Sequence, residues 1–359
     1  MIQFLVETQY IKEWFTIKSE HQHLRYNPLK DEWVLVSPHR SLRPWSGQTE
    51  KLTVEKIQRF DPSNPLCPGV TRSSGIITPQ YETTYVFTND FPALLEEGPE
   101  TEESDDPLFQ IKSAKGTCRV MCYHPYSDVY LTSLSTKQVV DIIDEWVRQT
   151  EEMGKKYLWV QLFENRGQMM GCSNPHPHCQ IWSSSFMPNE PRIKDQNLRK
   201  YYEKHGKPLL KDYVERELKK QDRIVTDNEE WLVVVPYWAV WPFETMVLPK
   251  RQIQRFTDTD ERQRVALAKI LQVLVGKYDN LFKCNFPYSM GWHGAPTGPV
   301  LTECHPHWTF HGLYFPPLLR SATVRKFIVG YELLAQAQRD LTPEKAAALL
   351  REQEDKRFE

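Results

Sequence analysis

The segment ENRGQMMGCSNPHPHCQ, residues 164–180, contains the residue types and spacing best suited to chemistry. We predict a strand over 177–183, and residues two apart on a strand face the same side. His176, His178 and Gln180 are therefore expected to converge on one face, while Cys179 and Ile181 point into the core. Three interpretations fit two imidazoles and an amide: metal ligands, a nucleophilic or acid–base histidine with supporting residues, or polar residues hydrogen-bonded at a strand start.

The loop before the histidines bears on the choice among these interpretations. Gly171, Ser173 and Asn174 supply backbone and side-chain groups beside the imidazoles. Groups of this kind bind phosphate oxygens through hydrogen bonds. The residues themselves therefore favour phosphoryl chemistry.

Alternating and helical patterns predict the elements that position this segment. The first half contains three further predicted strands, at 33–37, 84–88 and 157–163, and one predicted helix, at 135–153. Ser135 is the predicted N-cap of that helix. Residues 1–25 are expected to be a weakly structured lead-in. The acidic stretch 97–107 has no large apolar side chains that could be buried.

The second half of the chain repeats this plan. Its predicted strands lie at 231–236, 244–248 and 307–315, and its predicted helix lies at 258–282. In both halves a histidine-bearing strand comes last. The repetition predicts two similar halves, near 21–195 and 196–359.

Composition limits the kinds of partner. The 359 residues include 45 basic and 47 acidic side chains, a formal charge of -2, so nothing favours nucleic acid or an anionic membrane surface. No stretch approaches the roughly 20 apolar residues of a membrane span. Seven cysteines, an odd number, and an N-terminus without an apolar run predict free thiols in the reducing cytoplasm. The expected partners are small molecules.

Several long motifs together resemble one known family. GCSNPHPHCQIW, with FENRG before it and PYSMGWHGAP and PPLLRSATVRKFIVGYELLAQAQRDLTPE after it, resembles the galactose-1-phosphate uridylyltransferases, a branch of the histidine-triad superfamily. The resemblance extends from about residue 21 to 352. It implies an α+β fold in which two histidine-triad-like halves share an extended, mostly antiparallel sheet flanked by helices.

The resemblance also implies a reaction. UDP-glucose would give its uridylyl group to the protein, glucose 1-phosphate would leave, and galactose 1-phosphate would accept the group to form UDP-galactose. His178 matches the family nucleophile, and a neutral imidazole can attack phosphorus without a separate base. Gln180 and Ser173 would donate hydrogen bonds to phosphate oxygens, and His176 would hold the loop and orient His178.

Binding residues can be carried over position by position. The implied nucleotide site comprises Arg40, Arg43, Ser73, Asn89, Asp90, Asn165, Gly171, Cys172 and Ser173. The implied contacts to the sugar phosphate are Lys326, Phe327, Tyr331, Glu332 and Gln338. In the resembling family this second segment reaches into the partner's site, which predicts a homodimer with shared active sites.

The residues alone leave alternatives for some of these positions. Arg40 and Arg43 have guanidinium forks that match phosphate oxygens, but they also suit a solvated loop. Asn89 and Asp90 suit either a turn or the binding of ribose hydroxyls. The segment 326–338 reads by spacing as an amphipathic stretch with Phe327, Tyr331 and Leu334 in the core.

The chain departs from the family at both of its metal sites. At the first, a zinc site of two cysteines and two histidines, the matching residues are Asn64, Cys67, Ser127 and His176. At the second, which uses one glutamate and three histidines, they are Lys194, His293, His311 and Leu313. Both ligand sets are incomplete, so no metal is predicted, although zinc stays possible. Nearby Glu303, Cys304, His305 and His307 could regroup around a different ion, but they also suit a polar surface loop.

Leu313 stands where the second half would have its nucleophile, so only the first half is expected to be catalytic. The leading prediction is a UDP-glucose:hexose-1-phosphate uridylyltransferase of galactose metabolism. Two alternatives remain: another nucleotidyltransferase or hydrolase of the superfamily, or an inactive nucleotide-binding scaffold.

Overall fold

A computed structural model of the chain describes residues 21–42, 57–98, 101, 104–317 and 328–358. In these ranges the strands are β1 (His23–Asn27), β2 (Glu32–Val36), β3 (Tyr85–Thr88), β4 (Gly116–Cys122), β5 (Trp159–Arg166), β6 (His178–Ser184), β7 (Ile224–Asp227), β8 (Trp231–Val234), β9 (Thr245–Pro249), β10 (Tyr288–His293), β11 (His311–Phe315) and β12 (Gln338–Arg339). The α-helices are α1 (Thr136–Gly154), α2 (Asn189–His205), α3 (Leu209–Lys220), α4 (Glu261–Phe282), α5 (Tyr331–Leu334) and α6 (Pro343–Arg351).

Nine strands form one antiparallel sheet in the order β3-β4-β6-β5-β10-β11-β9-β8-β7. The pair β5 and β10 joins its two sides. Outward from this pair, β6, β4 and β3 on one side mirror β11, β9 and β8 on the other. A separate three-stranded sheet has the order β1-β2-β12, with β12 parallel to β2. The predicted α+β class and the mostly antiparallel sheet are confirmed.

One face of the large sheet is covered by α1 and α4. Cys179 and Ile181 of β6 point into this layer and are buried with Ile143 and Trp146 of α1 and Leu271 of α4, as strand alternation predicts. Helix α1 begins after the predicted N-cap, because the Ser135 side chain accepts a hydrogen bond from the N–H of Gln138.

The opposite face is covered only in part. Helices α2 and α3 bury Leu198, Leu210 and Val214 against Leu232 and Leu248 of the second half. On this face of β6, His178, Gln180 and Trp182 are half-buried rather than enclosed. Side chains of the first half are therefore accessible on the face where the chemistry is expected.

The predicted strands and helices correspond to β2, β3, β5, β6, β8, β9, β11, α1 and α4. The expectation of a weakly structured lead-in over 1–25 was wrong at its end, because β1 begins at His23 and pairs with β2. Residues 1–20 lie outside the described ranges, as do 99–100 and 102–103 of the acidic stretch. No helix within the described ranges is long and apolar enough to cross a membrane.

A buried ion-pair cluster ties the small sheet to the C-terminal helix. Both terminal nitrogens of Arg25 donate to the carboxylate of Glu344, at 2.9 and 3.0 Å, and Arg223 donates to the same carboxylate at 2.7 Å. Burial raises the pKa of Glu344, but the two arginines outweigh that effect, so its pKa lies below the ordinary value. Strand β1 is thus fixed to α6 across almost the full length of the sequence.

Candidate active site

His178 is the first residue of β6 and pairs with Cys122 on β4. Its Nδ1 lies 2.6 Å from the carbonyl oxygen of His176. Because a carbonyl oxygen can only accept, Nδ1 carries the hydrogen and the lone pair is on Nε2. Burial lowers the pKa of His178 despite this hydrogen bond, which favours the neutral imidazole that a nucleophile requires.

His176 has a different environment, and its expected place on one face with His178 and Gln180 was wrong. The strand begins at His178, so strand alternation does not extend back to His176. The His176 ring is instead buried, with Nε2 2.8 Å from the hydroxyl of Tyr81 and Nδ1 2.8 Å from the hydroxyl of Ser127.

The hydrogen-bond directions around His176 follow from its partners. The Tyr81 hydroxyl donates to the carbonyl oxygen of Leu66 at 2.7 Å, so it accepts from Nε2 of His176, and Ser127 donates to Nδ1. Burial, followed by the charge of neighbouring His178, lowers the pKa of His176 to about 4. A fixed, neutral ring thus positions the carbonyl group that orients His178.

The loop before His176 is fixed by side-chain amides. Asn64 and Asn174 exchange two hydrogen bonds of 2.8 Å each, and Asn174 also accepts from the backbone N–H of His176 at 2.9 Å. Gly171 adopts a φ of 75°, a left-handed conformation that favours glycine. Ser173, on this fixed loop, is exposed.

Gln180 is oriented by its neighbour two residues along the strand. Its side-chain oxygen accepts from the indole N–H of Trp182 at 3.0 Å. The ring of Trp182 packs edge-on against Phe163 of β5, which pairs with Gln180. Since the oxygen is occupied, the amide N–H groups are the part of Gln180 that remains for a substrate.

The expected nucleotide-binding residues of the first half have local partners of their own. Asn165 accepts from Ser289 at 2.6 Å, and Asn89 accepts from the N–H of Phe91 in the turn that follows β3. Asp90 forms a buried ion pair of 3.2 Å with Arg72. Two further expected residues lie in loops: Ser73, in the exposed turn after Arg72, and Cys172, whose thiol donates to the carbonyl oxygen of Asn174.

Of the residues expected to contact the sugar phosphate, Gln338 is on β12 of the small sheet, and Tyr331 and Glu332 are on α5. Arg40, expected in the nucleotide site, is exposed in the 3-10 turn that follows β2. Glu332 is paired with Arg339. The alternative that this stretch forms core was wrong, because Tyr331 is 55% and Leu334 86% exposed. Arg43, Lys326 and Phe327 lie outside the described residues.

The matched positions of the first metal site form a hydrogen-bond network. The thiol of Cys67 lies 3.4 Å from the Ser127 hydroxyl and 3.8 Å from Nδ1 of His176. Near Cys304, His307 donates to Asp195 at 2.8 Å. Among the described residues, no three histidine, cysteine, aspartate or glutamate side chains group closely enough to hold a metal ion.

A cleft of about 780 Å³ opens on the same face of the sheet. Trp159, Phe163 and Trp182 line its sheet side, and Lys194 and Leu313 line its second-half side. Neither His178 nor Gln180 lines it. His178 therefore lies beside this apolar cleft, and Trp182 contacts both Gln180 and the cleft.

Sequence reasoning missed Tyr81, Arg72 and Trp182. Tyr81 and Arg72 meet their partners only through the fold, since Tyr81 is 95 residues from His176. Trp182 had a usable signal, because it lies two residues from Gln180 on a predicted strand and so shares its face.

A neutral imidazole with a fixed lone pair, beside amide and hydroxyl donors, has the groups that nucleotidyl transfer requires. Family models described as the N-terminal and C-terminal domains of galactose-1-phosphate uridyl transferase match residues 14–188 and 194–359. The chain belongs to the galactose-1-phosphate uridylyltransferase family, whose enzymes act in galactose metabolism.

Individual relatives agree over nearly the whole length. A probable galactose-1-phosphate uridylyltransferase of Drosophila melanogaster is 60% identical over 95% of this chain and 97% of its own. The galactose-1-phosphate uridylyltransferase of Rattus norvegicus is 55% identical over 93% of this chain and 88% of its own. A solved structure of uridylyltransferase superimposes with a TM-score of 0.72 and 26% identity, covering 91% of this chain and 97% of that one.

Proposed function

We propose that the protein exchanges UDP-glucose and galactose 1-phosphate for glucose 1-phosphate and UDP-galactose through a uridylyl group held on Nε2 of His178. The observation that carries this proposal is the 2.6 Å hydrogen bond from Nδ1 of His178 to the carbonyl oxygen of His176. It occupies one ring nitrogen and leaves the lone pair of the other for attack on phosphorus.

The reaction balances in two displacements. In the first, Nε2 forms a bond to the α-phosphorus of UDP-glucose, and the bond from that phosphorus to the bridging oxygen breaks, releasing glucose 1-phosphate. In the second, a phosphate oxygen of galactose 1-phosphate attacks the same phosphorus, and the nitrogen–phosphorus bond breaks. The amide of Gln180 and the hydroxyl of Ser173 donate to the non-bridging oxygens as charge gathers there.

His176 acts as a positioning residue in this scheme. Its backbone carbonyl orients His178, and its ring is fixed by Tyr81 and Ser127. As the family resemblance implies, the nucleotide would be bound by Arg40, Arg43, Ser73, Asn89, Asp90, Asn165, Gly171 and Cys172.

A labelling experiment tests the covalent step. UDP-glucose labelled in the uracil should label the protein through an acid-labile, base-stable bond, while label in the glucose should leave with the first product. His178→Ala should abolish labelling and reduce turnover by several orders of magnitude. His205→Ala, at an exposed histidine at the end of α2, is the matched control. Near-normal turnover of His178→Ala would refute the mechanism.

We further propose a homodimer with shared active sites, in which the segment bearing Lys326, Phe327, Tyr331, Glu332 and Gln338 completes the partner's site. Two features support it. Tyr331, Leu333 and Leu334 expose apolar surface. Within the described chain, the side-chain nitrogen of Gln338 is buried without a hydrogen-bond partner. A wall from a second chain would also help exclude water from the uridylyl-histidine.

Complementation tests the shared site. Chains with His178→Ala are mixed with chains that carry both Glu332→Ala and Gln338→Ala, and the subunits are allowed to exchange. Shared sites predict that activity returns, because each mixed dimer has one site with both contributions intact. Proven exchange without recovered activity would mean that each chain builds its own site.

The division into halves at 21–195 and 196–359 and the cytoplasmic location also remain proposals. The mirrored strand order on either side of β5 and β10 supports the division. All seven cysteines are unpaired thiols in the structure, which suits a reducing compartment.

A further inference from the structure

Three side chains meet at a buried point where α2 crosses the second half of the sheet. His293, the last residue of β10, is paired with His311, the first residue of β11, and their ring centroids are 5.6 Å apart. Lys194 of α2 reaches between them, with Nζ 3.0 Å from Nδ1 of His293 and 3.3 Å from Nε2 of His311. Lys194 and His311 are almost completely buried.

The His311 imidazole presents a lone pair to the lysine nitrogen, and an ammonium, which can only donate, would meet a lone pair on Nδ1 of His293 as well. Nδ1 of His311 lies 2.9 Å from the carbonyl oxygen of Thr309, so it carries the hydrogen and Nε2 is the acceptor. An ammonium carries three N–H groups and a neutral amine two, so either form of Lys194 can donate to both rings. Two imidazoles directed at one buried point commonly bind a metal ion. Here the side-chain nitrogen of Lys194 lies at that point.

The remaining surroundings do not fit a metal ion. Leu313, two residues after His311 on the same strand face, provides no ligand atom. The carboxylate of Glu244, which lines the same cleft, already accepts from the N–H groups of Val240 and Trp241, at 2.8 and 3.0 Å. Structural zinc requires about four ligands, and two imidazoles do not suffice.

We propose that the side-chain nitrogen of Lys194 takes the structural place of a metal ion and fixes α2 to the second half of the sheet, so that this junction is metal-free. The next residue makes a second link of the same kind. Asp195 accepts from Nε2 of His307 at 2.8 Å and from the indole N–H of Trp308 at 2.6 Å. Helix α2 follows β6, so the two consecutive links fasten the helix after the nucleophile strand to the opposite half.

A reversal of the substitution tests this proposal without reference to transfer activity. In Lys194→Glu/Leu313→His, a carboxylate and a third imidazole replace the amine and the leucine. After incubation with zinc and gel filtration, elemental analysis should find about one zinc per chain in this variant, the stoichiometry of a four-ligand site. Zinc should raise its melting temperature and EDTA should lower it.

Single variants provide the controls. Leu313→His keeps the lysine and should contain well under one zinc per chain. Lys194→Met should melt at a lower temperature than wild type, and zinc should not restore it. If Leu313→His bound stoichiometric zinc, or if Lys194→Met were as stable as wild type, the nitrogen would not occupy the ion's position.

A second measurement uses only the wild-type protein. It is unfolded in guanidinium with EDTA and refolded with EDTA still present. We expect the original melting temperature to return, with no stoichiometric metal in the refolded protein. Stoichiometric zinc or iron in purified wild type, or refolding that requires either ion, would overturn the proposal.

Discussion

Tyr81→Phe tests the positioning of the nucleophile most directly. The change keeps the ring, which stacks on Tyr85 with centroids 5.3 Å apart, and removes only the hydroxyl. The Nε2–H of His176 then loses its partner, and the carbonyl oxygen of Leu66 keeps only the weak bond of 4.0 Å from the Cys122 thiol. His178 itself is not touched, so any effect on transfer must pass through His176.

The magnitude follows from these two lost bonds. A buried polar group left without a partner costs about 1–3 kcal/mol, so we expect a loss of about 2–4 kcal/mol in the free energy of unfolding. For a chain of 359 residues this corresponds to a melting temperature lower by about 3–5 °C. A displaced His176 carbonyl would also misplace His178, and a shift of about 1 Å in a reacting group can cost up to about 100-fold in rate.

The assay is the pre-steady-state transfer of the uridylyl group from UDP-glucose to the protein. We expect the transfer rate and kcat to fall while KM for UDP-glucose changes little, because Tyr81 is proposed to orient His178 rather than to bind the nucleotide. Tyr85→Phe is the matched control, since among the described residues its hydroxyl makes no hydrogen bond. A destabilised Tyr81→Phe that transfers at the wild-type rate, or an equal fall in Tyr85→Phe, would refute the reasoning.

Three further predictions concern the site and its support. Trp182→Phe removes the hydrogen bond that orients the Gln180 amide, which is worth about 1 kcal/mol, and should lower the transfer rate by about fivefold. Trp159→Phe is the control, because it leaves this amide in place. An unchanged transfer rate in Trp182→Phe would contradict the prediction. In Glu344→Gln the loss of stability should be about 1–2 kcal/mol at pH 7, discounted because the carboxylate is partly exposed. The pKa of Glu344 is lowered by folding, so its contribution is present above the ordinary pKa and is lost as the pH falls through the folded pKa. The stabilities of the variant and the wild type should therefore converge as the pH falls below the ordinary glutamate pKa, and a constant gap would contradict this. Prolonged EDTA treatment should leave transfer nearly unchanged, because both family ligand sets are incomplete, and activity that requires added zinc would contradict this prediction.

The sequence by itself predicted the elements whose signals are local. The alternation around Cys179 and Ile181 marked β6, and Ser135 marked the start of α1, because side-chain direction and capping depend on near neighbours. The motif around His178 was also sufficient to indicate the family and the chemistry, since a catalytic segment is short and its residue types are specific.

Only the tertiary structure decided the contacts between distant residues. It separated His176 from the face of His178 and placed it between Tyr81 and Ser127, which lie on other segments. It also brought Lys194 between two histidines 99 and 117 residues away. Local patterns specify which way a side chain points, but which group it meets depends on strand order and helix packing, which involve the whole chain.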